Sequence, residues 1–364
     1  MRTVRLGDYI EQRREKNNNY DVPIRGVTRD GFISPKQDGD LSMYNVFYKN
    51  DFVFNPARME INSIYLNTEY EKAICSSLYE VFYVKDTSVL LPEYLFLFMK
   101  RDEFARYCWF DAIGSARNYY RVYNISEVRI PLPSIEVQRE LVAVYGGLKA
   151  LAEENEALLQ PLSNACQAFI VDCKKKYPSV KLGEFIEECD ERNSENKYGE
   201  ESVRGISTGK ELIDTKANLS GVSLTSYKVI NPTDFVYVAD TSRRGDKMAL
   251  ARNNTKRAFI VSSIYTTFRS KDKSKLLPEY LFIMLCRSEF DRYSRFNSWG
   301  SARETFDWSE MCRVEITLPP LEIQQKVVDL YNCYEEAKRI ASEAREQLKT
   351  LCPALVQKAA HSIA

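Results

Sequence analysis

The segment Leu90–Phe96, which reads Leu-Leu-Pro-Glu-Tyr-Leu-Phe, returns letter for letter at Leu276–Phe282. The tetrapeptide Gly-Ser-Ala-Arg at 114–117 returns at 300–303 with the same offset. Residues 74–138 align with their second copy without an insertion or a deletion. A repeat of this size indicates a duplicated domain rather than the short unit of a solenoid.

The two copies differ mainly in one internal patch. They begin alike, with Val4–Ile10 in the first copy and Val180–Ile186 in the second, at a slightly shorter offset. The length difference and nearly all the sequence divergence therefore fall within residues 13–72 and 189–258. Two copies that share a frame and differ in one patch suggest two sites of one kind that recognise two different things.

Composition and charge exclude several classes of protein. The 364 residues suggest two or three domains, and the 51 basic residues balance the 51 acidic ones. Zero net charge argues against a protein that binds nucleic acid alone through bulk electrostatics, but not against a subunit whose partners help to neutralise phosphates. The only histidine is His361, close to the end of the chain. Histidine-based acid–base catalysis, Ser-His-Asp triads and His-ligated zinc are therefore not expected.

The sequence also predicts a cytoplasmic protein without a membrane segment. No apolar run reaches spanning length, and the first residues lack the apolar stretch of a signal peptide. The nine cysteines are scattered without a C-x-x-C pair, as expected for reduced thiols. Residues 195–197, Glu-Asn-Lys, are the nearest match to a nuclease Glu-x-Lys motif. They lie in a polar loop without an upstream Pro-Asp, which favours a solvated loop.

Each copy is predicted to be a mixed α/β globule followed by a long helix. Short segments rich in aromatic and β-branched residues predict strands at 44–48, 51–54, 78–84, 234–238 and 264–268. Pro92 and Pro278 each open a predicted helix, running from Glu93 to about Tyr107 and from Glu279 to about Tyr293, because Pro and Glu suit a first helical turn.

The long helices carry apolar residues at three- and four-residue spacing. In the first helix this seam runs from Leu141 to Phe169, and in the second from Val327 to Leu355. Such a stripe buries itself against a partner helix. One interpretation is a face of an ordinary bundle; the other pairs the two helices with each other in antiparallel fashion, with a buried Asn155 that sets the register.

Each copy closes with a Leu-Pro-x-x-Glu-x-Gln helix start, at Leu132–Gln138 and Leu318–Gln324. These starts follow a Leu-Gly-Asp/Glu entry, an Asp-Phe-Val strand, the Leu-Pro-Glu-Tyr-Leu helix and the Gly-Ser-x-Arg turn. This order, present twice and spanning essentially the whole chain, resembles the DNA specificity subunits of type I restriction-modification systems. Family members often have adjacent Glu and Gln at the helix start, whereas Val137 and Ile323 intervene here.

The resemblance implies an α+β fold with two homologous mixed α/β target recognition domains, joined and followed by long, antiparallel, coiled-coil-like helices. The expected boundaries are 1–132 for the first recognition domain, 133–177 for a central spacer helix, 178–318 for the second recognition domain and 319–364 for a C-terminal spacer helix.

The resemblance also implies a function in a larger complex. Each domain would read one half of a split site in double-stranded DNA, while the helices fix the gap and dock two methyltransferase subunits, with a restriction-translocase subunit when present. The sequence has no methyltransferase signature, Gly-rich cofactor loop or phosphate-cradling loop, so we expect no catalysis, no cofactor and no metal. The alternative is a catalytically inert scaffold whose duplicated domains bind protein.

The divergent patches are the expected base readers, because unlike half-sites require unlike readers on a common frame. In the second copy, basic residues crowd into one stretch; those we expect at DNA are Arg243, Arg244, Lys247 and Arg252, with Lys256 and Arg257 close behind. The alternative is that this basic stretch is a solvent-exposed loop without a binding role. The first copy has a thinner equivalent in Asn55, Arg58 and Asn62. Asn17, Asn18 and Asn19 fit a plain loop better than adenine contacts.

The Gly-Ser-Ala-Arg turn has a different logic, because an identical turn cannot read different bases. Its candidate residues are Ser115 and Arg117 in the first copy and Ser301 and Arg303 in the second. Backbone N–H groups, a hydroxyl and an arginine suit a phosphate oxygen. The turn is therefore predicted to be a phosphate clamp, with a structural turn held by a salt-bridged arginine as the alternative.

Overall fold

A computed structural model describes residues 3–18, 21–35, 40–112, 119–241, 247–300 and 303–361, with side chains described as far as residue 350. The chain divides into two compact units. Unit 1 contains Met1–Asn155 and Arg339–Ala364, and unit 2 contains Glu156–Lys338. Each unit therefore combines one sequence repeat with a segment of each long helix.

The same elements follow one another in both repeats. The strands of the first repeat are β1 (Thr3–Arg5), β2 (Ile10–Arg13), β3 (Gly26–Val27), β4 (Phe32–Ile33), β5 (Asn45–Tyr48), β6 (Phe52–Phe54), β7 (Ile64–Leu66), β8 (Lys72–Cys75), β9 (Glu80–Val84) and β10 (Arg129–Pro131). Its helices are α1 (Pro92–Met99), α2 (Asp102–Asp111), α3 (Val122–Glu127) and the long α4 (Ile135–Lys176). Short 3-10 helices lie at Leu6–Asp8, Leu41–Met43 and Pro56–Ile61.

The second repeat matches the first strand for strand and helix for helix. Its strands are β11 (Ser179–Lys181), β12 (Ile186–Cys189), β13 (Arg204–Ile206), β14 (Leu212–Asp214), β15 (Lys228–Ile230), β16 (Phe235–Tyr237), β17 (Leu250–Arg252), β18 (Phe259–Val261), β19 (Thr266–Ser270) and β20 (Glu315–Thr317). Its helices are α5 (Pro278–Leu285), α6 (Ser288–Phe296), α7 (Trp308–Arg313) and the long α8 (Leu321–His361), with 3-10 turns at Leu182–Glu184 and Glu200–Ser202. The predicted α+β fold with two homologous domains and long helices is confirmed.

A four-stranded antiparallel sheet forms the centre of each domain. Its strand order is β2-β9-β6-β7 in unit 1 and β12-β19-β16-β17 in unit 2. Stacked rings from neighbouring strands fill the core on one face, with Phe52 on Phe82 and Phe235 on Phe268 at centroid distances of 4.7 and 4.8 Å. The aromatic segments predicted as strands are thus core strands in both copies.

The helix predicted after Pro92 is two helices rather than one. α1 ends at Met99, and Arg101 has extended backbone angles before α2 begins at Asp102. The second copy breaks in the same way at Arg287. Apolar spacing continues across the break, which is why the sequence pattern alone does not reveal it.

A buried glutamine ties the start of each long helix to the domain. Gln138 accepts a hydrogen bond from the Leu91 N–H and donates to the carbonyls of Val89 and Pro133, at 2.8 to 3.0 Å. Gln324 repeats the arrangement on the backbone of Leu277, Lys275 and Pro319. The glutamine at the helix start is therefore a clamp that caps α1 or α5, since the first N–H groups of a helix need a partner.

The two long helices pack together in antiparallel order. Within unit 2, Cys166 of α4 interacts with Cys333 of α8, while Tyr177 interacts with Lys326, so rising numbers on one helix meet falling numbers on the other. Ile170 joins the same hydrophobic cluster as Val327. The predicted pairing is confirmed over the ordinary bundle.

The seam between the helices differs from the predicted one in detail. Ala152 of α4 is fully buried, whereas its neighbours Val144, Leu151 and Leu158 are exposed. Asn155 is not buried, and its amide donates to the Leu151 carbonyl one turn earlier. Alanines, which also include Ala337, Ala341 and Ala344 of α8, thus contribute to the buried side of the long helices, while several larger side chains of α4 are exposed. Among the described helices, none is long and apolar enough to cross a membrane.

Candidate nucleic-acid interface

One end of the central sheet gathers the segments that differ between the repeats. We call it the loop end: β2 and β6 finish there and β7 and β9 begin. It is marked in unit 1 by Arg13, Phe54, Ile64 and Glu80, and in unit 2 by Cys189, Tyr237, Leu250 and Thr266. The connection from β6 to the edge strand β7 spans residues 55–63, and its counterpart from β16 to β17 spans residues 238–249, so the second is longer.

In unit 2 the Gly-Ser-Ala-Arg turn and the divergent connection meet at the loop end. The Thr241 N–H donates to the Glu304 carbonyl at 3.0 Å, and the Phe306 N–H donates to the Ala239 carbonyl at 2.9 Å. Gly300 has a φ of +143°, and a Cβ there would lie 2.1 Å from the Arg303 carbonyl oxygen. Glycine is therefore required for the turn to fold back on itself.

The same junction exists in unit 1. The Tyr120 N–H donates to the Pro56 carbonyl at 2.9 Å, which is the counterpart of the Phe306 bond. The chain enters residues 113–118 from α2, and α2 packs against the 3-10 helix Pro56–Ile61. The divergent connection, predicted as base reader, thus bonds in both domains to the residues that follow the predicted phosphate clamp.

The three predicted contacts of the first domain have different surroundings. Asn55 caps the 3-10 helix, its side-chain oxygen accepting from the Ala57 N–H at 3.1 Å. Arg58 is exposed on that helix. Asn62 has a left-handed backbone and is only 1% exposed, and among the described residues its amide has no hydrogen-bond partner. Arg58 is therefore the only charged residue of the three, and its side chain faces solvent.

In the second domain, strand β17 divides the predicted basic stretch into two groups. Lys247 is exposed at the loop end, just before β17. Arg252 lies at the opposite end of the strand, where its guanidinium bonds to Glu279 and lies over the Phe282 ring. Lys256 and Arg257 follow Arg252 in the turn to β18. Lys247 and Arg252 nevertheless line one groove of unit 2, with a volume of about 900 Å³, whereas Lys256 and Arg257 are not among its lining residues.

Several predicted residues lie outside the described part of the chain. They are Ser115, Arg117, Arg243, Arg244, Ser301 and Asn19. Arg303 is described and is exposed at the end of its turn. Asn17 is buried and donates to the Leu41 carbonyl, in keeping with the loop interpretation.

A basic groove at the loop end of unit 1 was not predicted from the sequence. It has a volume of about 440 Å³ and is lined by Gln12, Arg13, Arg14, Lys16, Asn45, Ser77, Tyr79, Glu80, Arg121 and Tyr123. Arg14 and Lys16 have no ion-pair partner among the described residues, whereas Arg121 pairs with Glu80 at 2.9 Å. Its residues come from four separate segments of the chain, so no local run of charged residues in the sequence predicts it.

Each domain has a two-stranded hairpin beside its central sheet, β3–β4 in unit 1 and β13–β14 in unit 2, and an ion pair anchors it. In unit 2 the Lys210 ammonium lies 2.6 Å from the Asp291 carboxylate, both buried, and Asp291 also accepts from the Met248 N–H. In unit 1 the counterpart is the exposed pair Arg29–Asp102 at 3.0 Å. Burial, with Arg29 nearby, lowers the pKa of Lys100 to about 8. The hairpins are thus tied to α2 and α6 by different chemistry.

Comparison with known proteins identifies the family. The model of the type I restriction modification DNA specificity domain matches residues 3–157 and again 174–350. The type I restriction-modification system S subunit from M. genitalium has a similar fold, with a TM-score of 0.57, 10% sequence identity, and coverage of 98% of this chain and 95% of that chain.

The HsdS subunit from Thermoanaerobacter tengcongensis is 18% identical over 98% of this chain and 96% of that chain, with a TM-score of 0.43. No curated protein matches the chain in sequence. The two family matches coincide with the two structural repeats and together include most of the chain. The chain therefore belongs to the family of type I restriction-modification DNA specificity subunits, with two copies of the specificity domain.

Proposed function

We propose that each domain reads one half of a split site in double-stranded DNA through its loop end. The carrying observation is that, in both domains, the divergent connection bonds at the loop end to the residues that follow the shared Gly-Ser-Ala-Arg motif. A specific complex with DNA needs base contacts that select the sequence and phosphate contacts that hold the register. The divergent connection would make the base contacts, and the shared turn beside it would make the phosphate contacts.

Exposed cations support this assignment. In unit 2, Lys247 and Arg303 flank the junction, and in unit 1 Arg14, Lys16 and Arg58 lie around it. Arginine forks suit guanine edges and phosphate oxygens. The zero net charge of the chain fits a subunit that binds DNA together with partners.

We further propose that α4 docks methyltransferase subunits. Val144, Leu151 and Leu158 are exposed and seven residues apart, so they form one outward stripe on the helix. Other residues of α4, such as Ala152 and Ile170, are buried and pack towards the antiparallel partner α8. A heptad stripe that the partner helix leaves exposed suits a further helix.

In this proposal the chain is a non-catalytic cytoplasmic subunit. Two methyltransferase subunits supply the chemistry, and a restriction-translocase subunit joins when present. The helices, which run from one unit into the other, set the number of unread base pairs between the half-sites.

The test is co-expression with the methyltransferase encoded beside this chain, followed by mapping of methylated adenines in the host DNA. We expect one split motif with two fixed halves and a constant gap. Association without any such motif would instead favour the protein-binding scaffold, and salt-independent duplex binding by the complex would count against phosphate contacts.

A further inference from the structure

Each domain exposes one tryptophan and one phenylalanine at, or just beyond, the end of its second short helix. In unit 1 these are Trp109 and Phe110, which are 64% and 84% exposed. In unit 2 they are Phe296 and Trp299, at 79% and 64%. Phe110 and Phe296 are equivalent in the repeat, since each precedes its Gly-Ser-Ala-Arg turn by the same number of residues.

These rings contribute little to the packing of their own domains. By contrast, phenylalanines of the core strands, such as Phe52 and Phe235, are fully buried. Large exposed aromatic side chains that recur at one place indicate a binding surface, because water is an unfavourable environment for them.

The location of the rings points to DNA as their partner. Trp299 forms a two-bond backbone bridge with Thr305 across the base of the shared turn, with N···O distances of 3.0 and 3.1 Å. Arg292 and Arg295 lie in the second half of α6, and Arg303 is the last residue of the Gly-Ser-Ala-Arg turn. In unit 1, α2 packs against the 3-10 helix that carries Arg58. Aromatic rings beside arginines are the pattern of nucleic-acid contact.

Equivalence between the domains defines the kind of contact. The half-sites are expected to differ, so a side chain identical in both domains is unsuited to reading base edges. An aromatic face stacks on any base, and an apolar side chain wedged into a base step acts through DNA shape. Both contacts are independent of sequence.

We propose that Phe110 and Phe296 each contact the duplex as an apolar wedge, at one equivalent position of each half-site, with Trp109 and Trp299 beside them. This rests on the proposed function of the loop end. The wedge gives the two domains a common grip on DNA and deforms the duplex at a fixed distance from each set of base contacts.

The experiment uses the full chain in complex with its methyltransferase subunits and a duplex that carries the mapped site. Phe110→Ala and Phe296→Ala are compared with Val89→Ala and Val171→Ala, which also truncate exposed apolar side chains but lie outside the divergent patches and the shared turn. Affinity is measured by fluorescence anisotropy. A 2-aminopurine base is placed at successive positions of each half-site to report unstacking.

We expect each phenylalanine variant to lower affinity about tenfold, the usual scale for loss of one stacked aromatic contact, whereas the controls bind normally. In wild type, 2-aminopurine should brighten at one position per half-site, and each variant should abolish the signal in its own half. Affinity within twofold of wild type with the signal retained would overturn the proposal.

Loss of the methyltransferase subunits from the purified complex would also overturn it, because the rings would then be protein contacts. If wild type recognises no duplex, the proposed function fails and the wedge with it. If wild type binds its site and the variants bind equally well, only the wedge fails.

Discussion

Single residues explain why two distant parts of the sequence motif occur together. The glutamine at the start of each long helix is far along the chain from the repeated Leu-Leu-Pro-Glu-Tyr-Leu-Phe segment, yet Gln138 and Gln324 bond to the backbone of that segment. Tyr94 and Tyr280 add a second tie, donating to the carbonyls of Pro131 and Thr317 at 3.1 and 2.7 Å. The motifs shared by the two repeats therefore serve mainly to hold each domain's structure together.

Replacing Gln324 with Ala should destabilise the protein by about 2–4 kcal/mol, because one N–H and two carbonyl groups lose their buried partner. Differential scanning calorimetry would measure the change. Gln325→Ala is the matched control, since its amide is exposed and bonds only to Asp329, and we expect a change within about 0.5 kcal/mol. Equal stability of the two variants would contradict the clamp.

Arg303→Ala should weaken DNA binding by the assembled complex for all sequences alike, as loss of a phosphate contact does. The slope of log affinity against log salt should fall by about one unit. Arg313→Ala controls for loss of an exposed arginine elsewhere in unit 2, where that side chain bonds to Glu310. A changed base preference at one position, with affinity for other sequences unaltered, would argue against a phosphate contact.

At the scale of elements, the sequence predicts what depends on local pattern. Aromatic strands such as β6 and β16 and the long helices α4 and α8 follow from composition and spacing. The structure of the basic stretch does not, because the expected loop contains the short strand β17, which separates Lys247 from Lys256 and Arg257. The basic groove was missed since its residues meet only through sheet pairing.

Asp291→Ala should destabilise unit 2 by about 3–5 kcal/mol, since it leaves the Lys210 ammonium buried without its partner. Chemical denaturation would measure this loss. The double variant Asp291→Ala with Lys210→Met should recover part of the stability, because it removes the unpaired charge. Failure of the second substitution to recover any stability would show that the pair is not the cause.

The outward stripe of α4 leads to a prediction about assembly. Leu151→Glu with Leu158→Glu should reduce co-purification of the methyltransferase subunits at least tenfold, because charges would have to be buried against a partner helix. Thermal stability should change little, since both side chains are exposed. Gln160→Glu, which places a charge at an exposed position on the opposite face of the same helix, is the control. Full assembly of the double variant would exclude this stripe as the docking surface.

At the scale of the whole molecule, the duplicated frame predicts independent domains. Replacing residues 1–131 with the recognition domain of another family member should change only one half of the methylated motif, with the other half and the gap retained. Methylation mapping of the hybrid complex measures all three. A change in both halves would refute independent recognition.

The antiparallel order of α4 and α8 also bears on chains of half the length. Because α8 is the second copy of α4, the antiparallel pair is a helix packed against its own repeat. A shortened chain that ends after α4 should therefore find its missing helix in a second copy of itself. Such a homodimer carries the same reader twice, and we expect it to recognise a palindrome.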